Sequence, residues 1–382
     1  MPSWLALACL VVAAAGCLYL GAAAILVGRF ARRTPEASGE HPSVTILKPL
    51  HGDEPGLADN LLSFCQQDYG GPVQIVFGVQ ETQDAAAAVA AQLVETLPHG
   101  TAALVIDGRR HGFNDKVSNL VNMEGGIDHD VVVLADSDMR VGPDYLAGIV
   151  AALQGPGAGG VTCLYHGIAT GGAWSRLSAL AIDTHFLPSV VVGVSLGLAR
   201  PCFGSTIALR RTTLAAIGGF KAFADVLADD YAIGEALRAR GDAVAVPPFA
   251  IGHLCSERSF RELWRHELRW ARTVKSVDPI GYAGSVLTHP LPFALLGLLL
   301  GGGTAALALA AAAIAARLVL CIVVERAFGL MPHPYWLQPA RDLLSFGAFL
   351  ASYLGASVTW RGRDYRVTPE GNLIPERRRP LS

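Results

Sequence analysis

The residues of this chain best suited to chemistry are carboxylates in pairs. The first pair closes the run VVVLADSDMRVG, where Asp136 and Asp138 stand one residue apart behind an apolar stretch. If VVVLA is a buried strand, alternation points residues i and i+2 the same way. Two hard oxygen donors on one side can hold Mg²⁺ or Mn²⁺, and the cation can neutralise a diphosphate. The competing reading is a polar turn closing a strand, because Asp and Ser are common turn residues. The second pair is Asp229 and Asp230, in ADVLADDYAIGEALRARG, just before a helix-like run. One carboxylate can cap that helix, leaving the other to deprotonate a hydroxyl nucleophile. Two solvated carboxylates favoured by the helix dipole are the plainer alternative.

Two basic stretches could complement these acids. GFNDKVSNLVNM sets Lys116 among Asn114, Asn119 and Asn122. A loop lysine with amide donors suits a phosphate or ribose; an exposed helix start is the alternative. In SFRELWRHELRWARTVK, Trp264, Leu268 and Ala271 recur at helical spacing, as do Leu263 and Trp270. The segment reads as a basic amphipathic helix. Such a helix can lie in a membrane interface, and its Arg can also clamp a diphosphate while Trp packs on a sugar. HELRW has no second His four residues on, so it is not a zinc-protease motif, and neither GxGxxG nor a P-loop is present. The 11 His are scattered, and the seven Cys form no CxxC pair. Reduced thiols in a cytosol-facing domain fit best. The net charge of −2 gives no basic field for nucleic acid.

The elements that position these groups alternate in type. SVTILKPL, VQIVFGVQ, ALVIDG and DVVVLADSD read as buried strands. Residues 84–97 and 143–153 read as helices, with Asp84 an N-cap of the first and Pro143 near the start of the second. Strands alternating with helices predict an α/β domain with a mostly parallel sheet covered on both faces. In such sheets ligands bind beyond the carboxyl ends of the strands, where Asp136 and Asp138 would sit.

A hydrophobic content of 52% and a mean hydropathy of +0.39 point to membrane segments at the ends. Residues 4–27 carry no charge and are long enough to span a bilayer. Arg29, Arg32 and Arg33 follow at once, whereas a signal peptide places its charge before the apolar run. A retained anchor with the next domain in the cytoplasm is expected. Residues 290–324 are too long for one span and slightly short for two. Gly301, Gly302 and Gly303 within them read as a tight reversal or a packing surface. A further span fits residues 343–358. The basic tail, with Arg361, Arg363, Arg366, Arg377, Arg378 and Arg379, favours an even number of C-terminal spans, whereas the glycine break favours three. The expected organisation is an anchor (1–30), a cytosolic catalytic domain (40–258), an interfacial helix (259–285), two or three membrane segments (286–360) and a basic cytosolic tail (361–382).

In this order, ILKPLHGDEPGL, GVQETQD, DKVSNL, ADSDMRVGPDYL, PCFGSTIALRR, LADDYAIG, HELRW and WRGRDYRV cover most of the chain. The ordered set resembles the membrane-bound, inverting GT-A glycosyltransferases of the family that contains ceramide glucosyltransferase. Within it, LKPLHGDEPGL, QIVFGVQ, LGLARPCFGSTIALRR and ELWRHELRWART look most like the bacterial hopanoid-associated members. The resemblance implies a GT-A-type fold, a UDP-sugar donor, a divalent cation (Mg²⁺ or Mn²⁺) and a polyhydroxylated lipid acceptor. It implies transfer of N-acetylglucosamine to bacteriohopanetetrol at a bacterial inner membrane, or alternatively of glucose to ceramide. It assigns Asp230 as general base, and Asp136 and Asp138 to the sugar-nucleotide and the metal. Glu81 stands where the family's first acid contacts the base, a position that usually holds Asp; Asp84 or Asp53 can share that role. Arg269 and Trp270 match the RW of (Q/R)xxRW, and His266 stands where that motif has Gln or Arg. His185 matches a family His near the acceptor, and Asp229 neighbours the base. A processive polysaccharide synthase would need more spans for a channel. An inactive receptor on this fold would be marked by a lost acid, yet every expected acidic position holds Asp or Glu. A transporter would need an intramembrane charge array, and only Arg317, Glu325 and Arg326 qualify.

Overall fold

The computed structural model describes residues 3–34, 39–355, 357–360, 363–367 and 373–375. It divides into two compact units. One comprises residues 34–165 and 200–254; the other comprises residues 1–33, 166–199 and 255–382.

The first unit carries the α/β fold. Its strands are β1 (Val44–Pro49), β2 (Val73–Val79), β3 (Ala102–Ile106), β4 (Val131–Leu134), β5 (Met139–Arg140), β6 (Ala158–Thr162), β8 (Ile207–Arg210), β9 (Ala243–Ala245) and β10 (Ala250–Cys255), with β7 (Leu164–Ala169) running across the boundary. The main sheet has the order β3-β2-β1-β4-β8-β6-β9. The pairs β1/β2, β1/β4, β2/β3 and β6/β9 are parallel, while β8 runs antiparallel to both its neighbours. The four runs expected as strands become β1 to β4, and every residue of β1 and β4 is buried. That pattern suits a central strand covered on both faces. Leu47, Val76, Val132, Leu120, Ile207, Phe220 and Ile233 share one core. The expected helices form at Ala85–Thr96 and Tyr145–Leu153. Asp84 caps the first, its Oδ1 accepting the Ala86 N–H at 2.9 Å. A separate antiparallel pairing sets His253 of β10 opposite Met139 of β5.

The second unit is mostly helical, with a small antiparallel sheet of Ser357–Trp360, Arg363–Val367 and Leu373–Pro375 near its end. Among the described residues, three stretches are long and apolar enough to cross a membrane: Trp4–Phe30, Gly172–Ser195 and Gly303–Phe328. The pair Pro279–Thr288 and Pro290–Leu299, bent by 64°, can form a fourth, broken span. Gly301 (φ +90°) and Gly303 (φ +57°) adopt left-handed backbone that few other residues enter, so the glycine run is a break between helices. At Gly16 a Cβ would lie 2.8 Å from the Leu287 carbonyl oxygen and 2.9 Å from Pro290 Cβ; only a glycine lets these segments approach so closely.

Two expectations change. The run 40–258, expected as one domain, is not one compact unit, because residues 166–199 cluster with the terminal helices. Their span-length helix was hidden by Ser175, Ser178, Asp183, Thr184 and His185, which break its apolar run. Residues 343–358 do not form a span: the helix there is Gln338–Ser352, of 15 residues, and residues 357–360 are extended. Fifteen residues reach only about 22 Å, short of the roughly 30 Å hydrocarbon core. Residues 361–362, 368–372 and 376–382 of the basic tail lie outside the described residues.

Arg317 answers the question of intramembrane charge. It is 1% exposed, its Nε lies 3.2 Å from Asp342 Oδ1, and its guanidinium donates to the Thr184 and Thr288 carbonyls. His185 Nε2 lies 3.0 Å from Asp342 Oδ1, and Gln338 Nε2 donates to that oxygen at 2.8 Å. A buried charge is tolerated when paired and hydrogen-bonded in this way.

Candidate active site

β4 ends at Leu134, so Asp136 and Asp138 lie on a turn and strand alternation does not orient them. Their side chains take different partners. Asp136 Oδ1 is 2.7 Å from the Lys116 ammonium. Asp138 Oδ2 is 3.5 Å from His253 Nδ1, and its Oδ1 is buried without a hydrogen-bond partner among the described residues. The β5/β10 register brings His253 here, and the Leu254 N–H donates to the Asp138 carbonyl at 2.9 Å.

The turn is gripped from behind. Lys48, fully buried on β1, donates to the Asp136 carbonyl and lies 3.7 Å from the Phe64 ring centroid. Burial lowers its pKa to about 7, against the opposing charges of Asp136, Asp138 and Glu54. Glu54 is pushed up to about 7 by burial and by Asp138. Asn60 Nδ2 donates to the Ser137 carbonyl at 3.3 Å.

The second acidic pair meets the first through Lys116 and Gly204. Lys116 is in the first turn of the helix Asp115–Met123, not on a loop, and its side chain is mostly buried. Its ammonium lies 3.3 Å from Asp229 Oδ2. Burial alone would lower its pKa, but Asp136, Asp229 and Asp230 outweigh burial and raise it. The nearby Asn residues are structural. Asn114 caps this helix, Asn119 donates to the Gly78 carbonyl, and Asn122 donates to the Asp107 and Arg109 carbonyls. Asp229 and Asp230 open the helix Asp229–Ala239 without a side-chain cap bond from its N-cap residue. Asp230 Oδ1 accepts the Tyr231 N–H at 2.8 Å and Oδ2 accepts the Gly204 N–H at 2.9 Å. The Gly204 carbonyl in turn accepts the Asp136 N–H at 3.2 Å. Burial and Asp229 raise the Asp230 carboxyl to about 6, with Lys116 and the two backbone N–H groups opposing the rise. A buried carboxylate tuned toward neutrality is suited to general-base work.

Gly204 was not singled out from sequence, and only the folded backbone shows its place. A Cβ there would lie 2.7 Å from Asp136 Oδ2 and 2.9 Å from Lys116 Nζ. Gly204→Ala is therefore expected to fold but to lower turnover about 10²-fold, the scale of an ångström-level misplacement. Turnover measured beside the melting temperature checks this, and unchanged turnover would refute it.

Two other nominated residues lie elsewhere in the α/β unit. Glu81 is exposed on the loop after β2. Asp84 is engaged with Gly52 N–H, Ala86 N–H and His51. His185, His266, Arg269 and Trp270 belong to the helical unit. The last three are on the helix Phe260–Val277, capped by Ser259, whose Oγ accepts the Glu262 N–H. The His266 and Trp270 rings meet edge-on at 4.5 Å. His266 Nδ1 lies 2.5 Å from Glu257 Oε1, which also accepts from Ser178 Oγ at 3.0 Å. Burial alone would raise the Glu257 carboxyl, but His266 and Ser178 more than offset it and hold it below the usual range.

The donors around Asp138 fit a divalent cation. A carboxylate oxygen without a hydrogen-bond partner among the described residues and a neighbouring imidazole form an O/N set suited to Mg²⁺ or Mn²⁺. Among the described residues no three His, Cys, Asp or Glu side chains form a ready-made metal cluster. Further ligands would come from substrate phosphate and water, the usual arrangement for Mg²⁺.

Among solved structures, the chain resembles the mannosyltransferase PcManGT from Pyrobaculum calidifontis in complex with GDP-Man and Mn²⁺. The TM-score is 0.51 at 21% identity, over 90% of this chain and 99% of that one. The fold is thus of the GT-A-like glycosyltransferase class. The glycosyl transferase family 21 model matches residues 7–373, and the chain belongs to that family. It is 25% identical over 206 residues to ceramide glucosyltransferase 1 of Caenorhabditis elegans, covering 54% of this chain and 44% of that protein. It is 30% identical over 128 residues to ceramide glucosyltransferase of Komagataella phaffii, covering 32% of this chain and 25% of that protein. The matches therefore span less than half the length of these curated relatives.

Proposed function

We propose that the protein moves a sugar from a UDP-sugar to a hydroxyl of a membrane lipid with inversion at the anomeric carbon. The observation that carries this reading is the path Asp136–Gly204–Asp230. A buried carboxylate with pKa about 6 is joined through one residue's backbone to the Asp136–Asp138 turn. Asp230 takes the proton of the lipid hydroxyl. That oxygen forms a bond to the anomeric carbon as the bond from this carbon to the diphosphate oxygen breaks, and UDP leaves with the electron pair. Asp138, with His253 beside it, would hold a divalent cation, which when bound offsets charge developing on the diphosphate. Lys116 supplies a further positive charge at the same carboxylates. The family pattern supports donor roles for Glu81, His266, Arg269 and Trp270, and acceptor roles for His185 and Asp229.

The span-length helices suit an acceptor that never leaves the bilayer. Arg29 in the last turn of Trp4–Phe30, followed by Arg32 and Arg33, supports a retained anchor with the α/β unit on the cytoplasmic face of a bacterial plasma membrane. The preferred reaction is transfer of N-acetylglucosamine to bacteriohopanetetrol, on the likeness of PCFGSTIALRR and ELWRHELRWART to the hopanoid-associated enzymes. Transfer of glucose to ceramide is the second reading, favoured by the two named relatives. Purified protein incubated with either lipid and either UDP-sugar separates them by product mass. An N-acetylhexosamine increment on the hopanoid supports the first, and a hexose on ceramide replaces it.

A further inference from the structure

Lys116 occupies ground that a cation would have to share. Its ammonium lies 2.7 Å from Asp136 Oδ1 and 3.3 Å from Asp229 Oδ2. The other Asp136 oxygen packs against Gly204, where an added Cβ would approach to 2.7 Å. The helix bearing Lys116 is fixed by the Asn114 cap and by buried Val117, Leu120 and Met123. The stem is therefore anchored, and only the head of the side chain can turn. Asp136 is neutralised by Lys116, whereas Asp138 Oδ1 has no hydrogen-bond partner among the described residues.

We propose that Lys116 is a resident counter-ion that keeps a divalent cation off Asp136 until a nucleoside diphosphate arrives. The diphosphate gives the ammonium a new anionic partner, so the head turns to it and Asp136 is released to the incoming cation. Cation and nucleoside diphosphate therefore bind with positive coupling, which linkage makes reciprocal. The inference rests on the cation reading of the Asp136–Asp138 turn.

The test is Mn²⁺ binding to the full chain in detergent, followed by electron paramagnetic resonance with and without UDP. The native chain is expected to bind Mn²⁺ at least about tenfold tighter with UDP present, the scale of one charge-assisted hydrogen bond. Lys116→Met removes the competing charge. It is expected to bind Mn²⁺ alone about tenfold tighter than the native chain and to lose most of the UDP enhancement. Lys116→Arg keeps the charge and should follow the native chain. If Lys116→Met melts below the working temperature, Lys116→Gln serves in its place. Unchanged or weaker Mn²⁺ binding by the neutral variant without UDP, beside normal Mn²⁺–UDP binding by the native chain, overturns this inference alone. No Mn²⁺ binding by either protein, with or without UDP, overturns both the inference and the cation reading.

Discussion

Asp230→Asn is expected to lower transfer by roughly 10²- to 10⁴-fold, the usual contribution of a general base, while UDP-sugar binding survives. Asn keeps the shape of the side chain, and its one carbonyl oxygen can still accept either the Tyr231 or the Gly204 N–H. What it loses is the ability to take a proton. The pH dependence tests the same assignment. The carboxyl is raised to about 6 by burial and Asp229. Its protonated, inactive fraction therefore grows as pH falls through that value. Below pH 6, kcat/KM should drop about tenfold per unit, since this profile reports the free enzyme's base. In Asp229→Asn the neighbouring negative charge is gone, so the acid limb should move to lower pH. An unmoved limb would assign it to another group. Retained turnover in Asp230→Asn, or lost donor binding, would remove Asp230 from the base role.

The parts of this site legible in the sequence are those set by local pattern. Apolar runs located β1 to β4, and Asp84 announced a helix start that its cap bond bears out. The family order of motifs pointed to the glycosyltransferase fold and family. Tertiary placement was not legible. His253 reaches Asp138 only because β10 pairs with β5, and no spacing between the two residues signals it. Gly204 acts through its main chain and the space its missing Cβ leaves, so residue type alone could not nominate it. Lys48 is the one charged residue of its strand. Its burial makes sense only once the Asp136 carbonyl and the nearby carboxylates are in place. The helix Gly172–Ser195 escaped hydropathy for the same reason. Its Thr184 and His185 are partnered by Arg317, Gln338 and Asp342, all more than a hundred residues away in sequence, which no window along the chain can see.

Asp138→Asn separates cation binding from folding more cleanly than any other single change in the site. Asp138 Oδ1 makes no hydrogen bond among the described residues, and Oδ2 is only loosely opposed by His253 at 3.5 Å. Removing the charge therefore takes few contacts from the protein, and its stability should stay within about 0.5 kcal/mol, as for substitutions away from packed or hydrogen-bonded features. Turnover should respond very differently. An electrostatic group aimed at developing charge is commonly worth about 10²- to 10³-fold, and Asn is a neutral and much weaker ligand for Mg²⁺ or Mn²⁺ than a carboxylate. The expected result is a melting curve that overlays the native one in EDTA, with transfer at least about 10²-fold lower in saturating Mn²⁺. In the native protein, EDTA should stop turnover and either cation should restore it. Full activity in EDTA would eliminate the cation from the reaction. A variant that melts many degrees lower would instead make the Asp138 carboxylate a structural part of the turn.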